Sequence, residues 1–167
     1  MSLTREEAVE KLLAHYDEPY HASCAPADEM PLAATASMHL VSDRMLLSLA
    51  RMGVTESDDF VFIYSLDTLT LPLLESLCDE ALSRGLARVD PNPNHNFSLI
   101  SLFFLCDAIT PEAAAAVKKK KFHKDYAKPE AGWADLRIAA AVVGSRTGAA
   151  NPMGKTLLKI YKDAMKH

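Results

Sequence analysis

Residues 97–106 read Phe-Ser-Leu-Ile-Ser-Leu-Phe-Phe-Leu-Cys, and this stretch decides the fold. Apolar side chains occupy both sets of alternating positions, as is typical of a central strand that is covered on both faces. Thr110-Pro111-Glu112 then supplies the cap, the first-turn proline and the early acid of a helix, which runs through four alanines to the lysines at 118–121. After a polar loop, a further strand is predicted at 133–143. A strand, a helix and a strand in this order predict two parallel strands joined by a right-handed crossover.

The residues before this unit predict three further strands. Residues 32–40 alternate between apolar and small or polar side chains, as in a half-buried strand. Residues 60–66 are rich in β-favouring side chains and follow an acidic stretch at 56–59 that is typical of a turn. The segment 43–52 also fits a helix, but its alternating apolar residues favour a strand. Together these strands predict a meander beside the central strand.

Helices are predicted where apolar residues recur at helical spacing behind a capping residue. Besides the helix after Thr110, they cover residues 5–16, 70–85 and 154–164. The segments 17–31 and 144–152 are predicted loops, and no linker is long enough to divide the chain. The sequence therefore predicts a single α+β domain over residues 1–167. Its mixed sheet has about five strands, a three-strand meander plus two strands added by helical crossovers, with about four packed helices.

The composition excludes several classes of protein. With 49% hydrophobic and 24% charged residues, the chain is neither disordered nor fibrous. Its net charge of −4 and pI near 5.8 argue against a nucleic-acid or anionic-membrane binder. No apolar run approaches the roughly 18 residues of a spanning helix. The charged start Thr4-Arg5-Glu6-Glu7 does not fit a signal peptide, so we expect the protein in the cytoplasm.

Neither the cysteines nor the histidines indicate a metal site. The three cysteines are widely spaced without a Cys-x-x-Cys pair, and Cys78 and Cys106 lie in apolar segments that predict a place in the core. The six histidines form no His-x-x-x-His or His-Glu-x-x-His pattern. We therefore expect no metal and no cofactor.

The stretch from Gly132 to Arg137 contains the most informative polar residues. On a strand, Trp133, Asp135 and Arg137 project from one face. They form either a surface cluster, with Arg137 paired to Asp135 or to a neighbouring strand, or the floor of a polar pocket, with Arg137 available for a carboxylate or phosphate. His39 contributes to such a pocket if the polar face of its strand is the same one.

Two lysine-containing motifs have ordinary structural explanations. Gly148 to Thr156 ends in Gly-Lys-Thr, but five residues rather than four separate its glycines, so the spacing of a phosphate-binding loop is missed by one. A less specific hypothesis is that the N-terminus of the helix and Lys155 bind an anion without a complete phosphate-binding loop. The run Lys118 to Lys121 falls in the last turn of a helix, where cations meet the negative end of the dipole; local phosphate or RNA binding stays an alternative.

The order of elements resembles that of restriction-endonuclease-like folds, which makes a metal-dependent nuclease the enzyme to test. Such nucleases need an acid on the second strand and a closely spaced acid and lysine on the third to hold Mg²⁺. The strand at 60–66 contains no acid-x-lysine pattern. Topology without a site does not imply function.

Several motifs resemble those of a family of small uncharacterised bacterial proteins. They are Lys121-Phe122-His123-Lys124-Asp125-Tyr126, Gly132-Trp133-x-Asp135-x-Arg137, Gly154-Lys155 with the closing helix and, more loosely, Ser37-x-His39 and Phe60-Val61-Phe62. The likeness spans most of the chain and departs around residues 44–52. It implies a domain of unknown function with no activity to carry over, and it favours a strand at 43–52.

The favoured hypothesis is a protein that binds a small anionic ligand or a protein partner without catalysis. The ligand-binding candidates are Trp133, Asp135, Arg137, His39 and Lys155. A homodimer would use an apolar face around Leu46 and Met52. The alternative is a hydrolase or nuclease-like enzyme that acts on a phosphorylated or nucleic-acid substrate with Asp135, His39 and Lys155. The sequence does not decide between them, but the fold occupies nearly all of its residues, which favours binding.

Overall fold

A computed structural model describes residues 2–46, 50–126 and 131–166, except for the side chains at 43–46 and 50–54. Within these residues the chain forms four α-helices, which are α1 (Arg5–His15), α2 (Leu71–Leu86), α3 (Pro111–Lys119) and α4 (Lys155–Met165). The side-chain oxygens of Thr4, Thr70 and Thr110 each accept a hydrogen bond from the backbone N–H three residues further on. The four predicted helices are confirmed. The caps explain the starts of α1, α2 and α3, whereas α4 begins without a side-chain cap.

The described residues form one mixed sheet of seven strands, whereas about five were predicted. The strands are β1 (His21–Cys24), β2 (Leu32–Leu46), β3 (Ala50–Leu69), β4 (His95–Ile109), β5 (His123–Asp125), β6 (Trp133–Val142) and β7 (Gly148–Ala150). Their order across the sheet is β1-β2-β3-β4-β6-β5, and β7 also pairs with β6. β1, β2 and β3 are antiparallel, and β3, β4 and β6 are parallel.

The three strands that the sequence did not predict are short and lie at the edges of the sheet. β1 falls within the predicted loop 17–31, and β7 within the predicted loop 144–152. β5 and β7 both pair with the side of β6 away from β4. Three or four residues carry little periodic signal, so the pairing with β2 and β6 makes these segments strands.

β2 and β3 form one long hairpin, which corrects the predicted division into separate strands at 32–40, 43–52 and 60–66. Leu46 pairs with Ala50 at the end of the described hairpin. The described parts of 43–52 are therefore extended, as predicted, but they end one strand and begin the next. Residues 47–49 lie outside the described residues.

The acidic stretch 56–59 is part of β3 and does not form the predicted turn. It pairs with residues 38–41 of β2. Charged residues are depleted in strands. The three acids of this stretch each have a hydrogen-bond partner, which is Asn92 for Glu56, His39 for Asp58 and Arg137 for Asp59. The homodimer expected around Leu46 and Met52 rests on side chains outside the described part of the chain, and it stays a prediction.

Helices cover both faces of the sheet. The α1/α4 face carries the helices α1 and α4 over a core that includes Ala34, Val61, Ile63, Phe103 and Leu105. The α2/α3 face carries α2 and α3 over a core that includes Phe60, Phe62, Ile100, Leu102 and Leu136. Residues 102–106 of β4 are fully buried. This confirms that the apolar stretch 97–106 forms a central strand covered on both sides.

Candidate functional site

His39 and Asp58 form a cross-strand pair on the α2/α3 face of the sheet. They lie opposite each other in the ladder between β2 and β3. Nδ1 of His39 is 2.6 Å from Oδ1 of Asp58. Because a carboxylate only accepts, Nδ1 donates the hydrogen and Nε2 is left for other partners. The side chain of His39 is 55% exposed and that of Asp58 only 11%, so the pair joins a mostly buried carboxylate to an imidazole that solvent reaches.

A chain of buried polar groups holds Asp58 in place. Oγ of Ser98 lies 3.3 Å from Oδ2 of Asp58 and 2.8 Å from Nε2 of His95. Nδ1 of His95 donates to the carbonyl oxygen of Ala131 at 2.5 Å. Ser98 and His95 are buried. Since each of these groups has a hydrogen-bond partner, the network supports His39 from the interior of the protein.

Three basic side chains line a cleft above this pair, which we call the His39 cleft. Its volume is about 240 Å³, and its lining comprises His21, Ser37, Met38, His39, Asp58, Phe60 and Arg88. His21 on β1 pairs with Ser37 of β2, so it is a diagonal neighbour of His39. Arg88 follows α2, and its guanidinium carbon lies 4.4 Å from the centre of the Phe60 ring. The cleft thus brings two imidazoles and a guanidinium together from three segments of the chain.

The surroundings of His39 favour its charged form. The hydrogen bond to Asp58 raises the pKa of His39 above its usual value. Partial burial opposes this rise, and the negative charges of Asp58, Glu56 and Asp90 add to it. His39 therefore binds a proton more readily than a histidine in free solution, which suits both anion binding and proton transfer.

Arg137 lies on the opposite, α1/α4 face, and its guanidinium is engaged inside the protein. Nη2 donates to Oδ2 of Asp59 at 3.0 Å, and Nε donates to Oγ of Ser101 at 3.0 Å. Ser101 and the hydroxyl of Tyr20 also donate to Asp59, at 2.7 and 2.6 Å. Asp59 is 2% exposed. Of the two alternatives for Arg137, the geometry favours pairing inside the protein over reception of an anion. The partners are Ser101 on the neighbouring strand β4 and Asp59 on β3 beyond it.

Trp133 and Asp135 share the α1/α4 face with Arg137, and both have local partners. The ring of Trp133 stacks beside that of Phe97, with centres 6.0 Å apart and planes 27° apart. Oδ1 of Asp135 lies 2.6 Å from Nδ1 of His123, whose Nε2 is 3.0 Å from Oδ1 of Asp125. The bond to Asp135, followed by that to Asp125, raises the pKa of His123. These contacts tie β5 to β6 at the edge of the sheet.

The structure does not bring the five candidate residues together. His39 would contribute only if it shared the face of Trp133, Asp135 and Arg137, and the sheet separates it from them. Lys155 lies in a third place, at the start of α4 in a groove beside β7. The register of β2 against β3 decides on which side of the sheet His39 lies. Alternation within one strand does not reveal this register.

The Gly-Lys-Thr junction at the start of α4 has a packing role. A Cβ on Gly154 would collide with the carbonyl oxygen of Ile138 on β6, so the close approach of the two elements requires glycine. Nearby, Oδ1 of Asn151 accepts from the backbone N–H of Ile138 at 2.9 Å, and Nδ2 donates to the carbonyls of Leu136 and Lys120, each at 3.0 Å. This packing accounts for the motif without a phosphate.

The sequence did not single out most of the residues around His39. Asp58 lies in the stretch predicted as a turn, and Arg88 lies just before a turn-rich segment. Ser98 lies within the apolar stretch 97–106, and no sequence pattern there indicates its hydrogen bonds to Asp58 and His95. The sequence does indicate that Ser37 and His39 share one face of β2. It does not indicate that Asp58 and Arg88 lie next to that face.

Among residues 2–46, 50–126 and 131–166, no group of three or more His, Cys, Asp or Glu side chains is arranged to hold a metal ion. In the same part of the chain, no helix combines the length and the apolar character needed to cross a membrane.

Comparison with known proteins gives one family. Residues 4–163 match the model of a family whose description is a domain of unknown function (DUF8052). Comparison with curated proteins and with solved structures gives no significant match. The family description carries no activity, ligand or partner.

Proposed function

The chain belongs to the family described as a domain of unknown function (DUF8052), and we propose that it binds a small oxyanion, a phosphate or carboxylate group, in the His39 cleft. One observation carries this proposal. His21, His39 and Arg88 come from three separate segments and line one cleft of about 240 Å³. A few donors that converge in a concave site are typical of the recognition of small ligands.

Arg88 and His39 offer complementary contacts to an oxyanion. The guanidinium is a planar fork that bonds two oxygens at once, and its stacking on Phe60 limits its motion. His39 offers Nε2, because Asp58 takes the hydrogen on Nδ1. The buried network through Ser98 orients this imidazole before a ligand arrives, so less conformational freedom is lost on binding.

The charge of His39 controls the affinity for an anion. Asp58 lines the cleft, and Glu56 and Asp90 lie close enough to influence His39. These acids repel an anion while His39 is neutral. Protonation of His39 balances Asp58, so that the charge of Arg88 attracts the ligand. Binding should therefore strengthen as the pH falls through the raised pKa of His39.

Calorimetric titration with sulfate tests this proposal, because sulfate keeps its charge between about pH 6 and about pH 8, where histidine titrates. The expected result is saturable binding that is stronger at the lower pH. Arg88→Gln and His39→Gln should each weaken it about tenfold, as expected for the loss of one charge-assisted hydrogen bond. Arg84→Gln is the matched control, since Arg84 lies 5.5 Å from the centre of the Phe62 ring on the same face but does not line the cleft.

Two results would contradict the proposal. If Arg88→Gln and His39→Gln bind sulfate as tightly as the parent protein, the anion binds elsewhere. If the affinity of the parent does not change between the two pH values, His39 does not take part. Circular dichroism of each variant, whose replaced side chains are all exposed, verifies that the fold is retained.

A second candidate function is hydrolysis of a phosphorylated substrate, and the orientation of His39 by Asp58 favours it. An imidazole held at Nδ1 by a carboxylate is the arrangement of a general base, whose Nε2 takes a proton from water. This hydrolysis proposal uses only residues of the His39 cleft. Asp135 and Lys155, which the sequence suggested as further active-site residues, lie in other grooves.

Release of nitrophenol from nitrophenyl phosphate and bis(nitrophenyl) phosphate tests hydrolysis. Turnover that is lost in His39→Gln and kept in Arg84→Gln supports a general base in the cleft. If the parent protein binds sulfate but cleaves neither ester, hydrolysis is excluded for these substrates and binding remains the function.

A further inference from the structure

A second cavity, of about 430 Å³, lies at the carboxyl end of β6, the other end of the sheet from the His39 cleft. It opens between the turn that joins β6 to β7, the helix α4 and the residues before α1. Its apolar lining comprises Leu3, Ala141, Leu158, Tyr161 and Met165. Its volume lies in the range of small-ligand sites, and open sheets with parallel strands bind ligands at the carboxyl ends of those strands.

Positive charge surrounds the opening of this cavity. Arg146, Lys162 and Lys166 all line it, and none of the described lining residues is acidic. Nζ of Lys166 lies 3.7 Å from Oδ1 of Asp163, an exposed contact that contributes little. Within the described part of the chain, Arg146 and Lys162 form no ion pair. Two cations at the opening therefore remain available to an anion.

The acids at the carboxyl ends of β3 and β4 do not neutralise this charge. Asp67 and Asp107 both bind Arg5, with nitrogen–oxygen distances of 2.6 and 3.2 Å. The cavity therefore combines apolar lining residues with cations that these acids do not neutralise. A ligand that matches both must carry an apolar body and a negative head.

We propose that this cavity binds a carboxylate with an apolar tail. The carboxylate pairs with Arg146 and Lys162, and the tail packs on Leu158, Tyr161 and Met165. A guanidinium and an ammonium group both form strong contacts with a carboxylate, and burial of the tail supplies the rest of the affinity. This inference does not depend on the His39 cleft, which lies at the other end of the sheet and shares no lining residue with this cavity.

An NMR titration with octanoate, octanol and acetate tests the match of head and tail. Octanoate should bind saturably and shift the amide signals of Ser145, Tyr161 and Met165. Octanol lacks the charge and acetate lacks the tail, so each should bind about tenfold more weakly or worse.

Matched variants then locate the site. The double substitution Arg146→Gln and Lys162→Gln should weaken octanoate binding about tenfold. Lys159→Gln removes one positive charge from α4 at a residue that does not line the cavity. The affinity of this variant for octanoate should equal that of the parent. His39→Gln should leave the octanoate titration of the Tyr161 and Met165 signals unchanged, because these residues line only this cavity, so the two proposed sites can fail independently.

Two results would overturn the inference. Equal affinity of the double variant and the parent for octanoate would show that these cations do not hold the carboxylate. Equal affinity of the parent for octanol and octanoate would show that charge plays no part. All four replaced side chains are exposed, and a circular dichroism spectrum verifies that each variant is folded.

Discussion

Asp58 and Asp59 are neighbours in the chain, yet they serve two separate networks on opposite faces of the sheet. Asp58 pairs with His39 on the α2/α3 face, and Asp59 pairs with Arg137 on the α1/α4 face. The alternation of side chains along β3 produces this division. One acid orients an exposed imidazole and the other belongs to a buried ion pair, so substitutions in the two networks should have different effects.

Arg137→Ala should strongly destabilise the protein. It would leave the carboxylate of Asp59, which is 2% exposed, with Ser101 and Tyr20 as its donors and no balancing cation. Removal of one partner of a buried ion pair costs about 3–5 kcal/mol. Urea denaturation measures the free energy of unfolding. In contrast, Lys166→Ala breaks an exposed pair and should cost about 1 kcal/mol or less; equal losses in both variants would contradict a structural role for Arg137.

Asn151→Ala should also destabilise the protein, because one side chain satisfies three backbone groups, those of Leu136 and Ile138 on β6 and of Lys120 at the end of α3. A buried backbone group without a partner costs about 1–3 kcal/mol, so we expect a loss of about 3 kcal/mol. Thermal and urea unfolding measure it. Asn94→Ala, at an exposed asparagine, is the control and should change stability by about 0.5 kcal/mol or less. A loss that small at Asn151 would mean that solvent or another group replaces its hydrogen bonds.

Gly132 and Gly144 offer a matched pair of glycines. Both have positive φ, at 75° and 81°. A Cβ on Gly144 would meet its nearest atom at 3.7 Å, so Gly144→Ala should cost only the backbone strain, about 1–2 kcal/mol. A Cβ on Gly132 would collide with the backbone of Asn96, and Gly132→Ala should cost about 3 kcal/mol or more. Urea denaturation ranks the two, and similar losses would show that the contact with Asn96 relaxes easily.

The pair of His39 and Asp58 should make stability depend on pH. The folded state raises the pKa of His39 above its value in the unfolded chain, which is about 6.5. The stabilisation is therefore fully present below about pH 6.5 and is lost as the pH rises through the folded-state pKa. His123, whose pKa is raised by Asp135 and Asp125, contributes in the same direction.

Urea denaturation of the parent protein and of His39→Gln over about pH 6 to pH 9 isolates the contribution of His39. The free energy of unfolding of the variant should fall less steeply with pH than that of the parent. Parallel curves would show that His39 has the same pKa in the folded and unfolded states. His123→Gln provides a second comparison with the same expected sign.

The elements that could be predicted carry their signals in consecutive residues. The cap and apolar spacing of α1 lie within residues 4–16, and both faces of β4 are apolar in the sequence itself. β1, β5 and β7 carry no such signal, because a few polar or small residues become strands only when a partner pairs with them. The acidic stretch 56–59 has the composition of a turn but forms a strand for the same reason, since it pairs with residues 38–41 of β2.

In the candidate site, too, local features could be predicted from the sequence and distant partners could not. Alternation was enough to place Trp133, Asp135 and Arg137 on one face of a strand, because the side-chain period of a strand is a local property. The partner of Arg137 is Asp59, 78 residues away, and no spacing in the sequence indicates it.

Local periodicity and capping thus specify the helices, the long strands and the residues that share a face. The fold alone decides which face meets which helix, and that His39 has Asp58 and Arg88 as neighbours whereas Arg137 has Asp59. The physical reason is register. The alignment of two strands results from the packing of the whole core, and it determines which polar groups of distant segments meet.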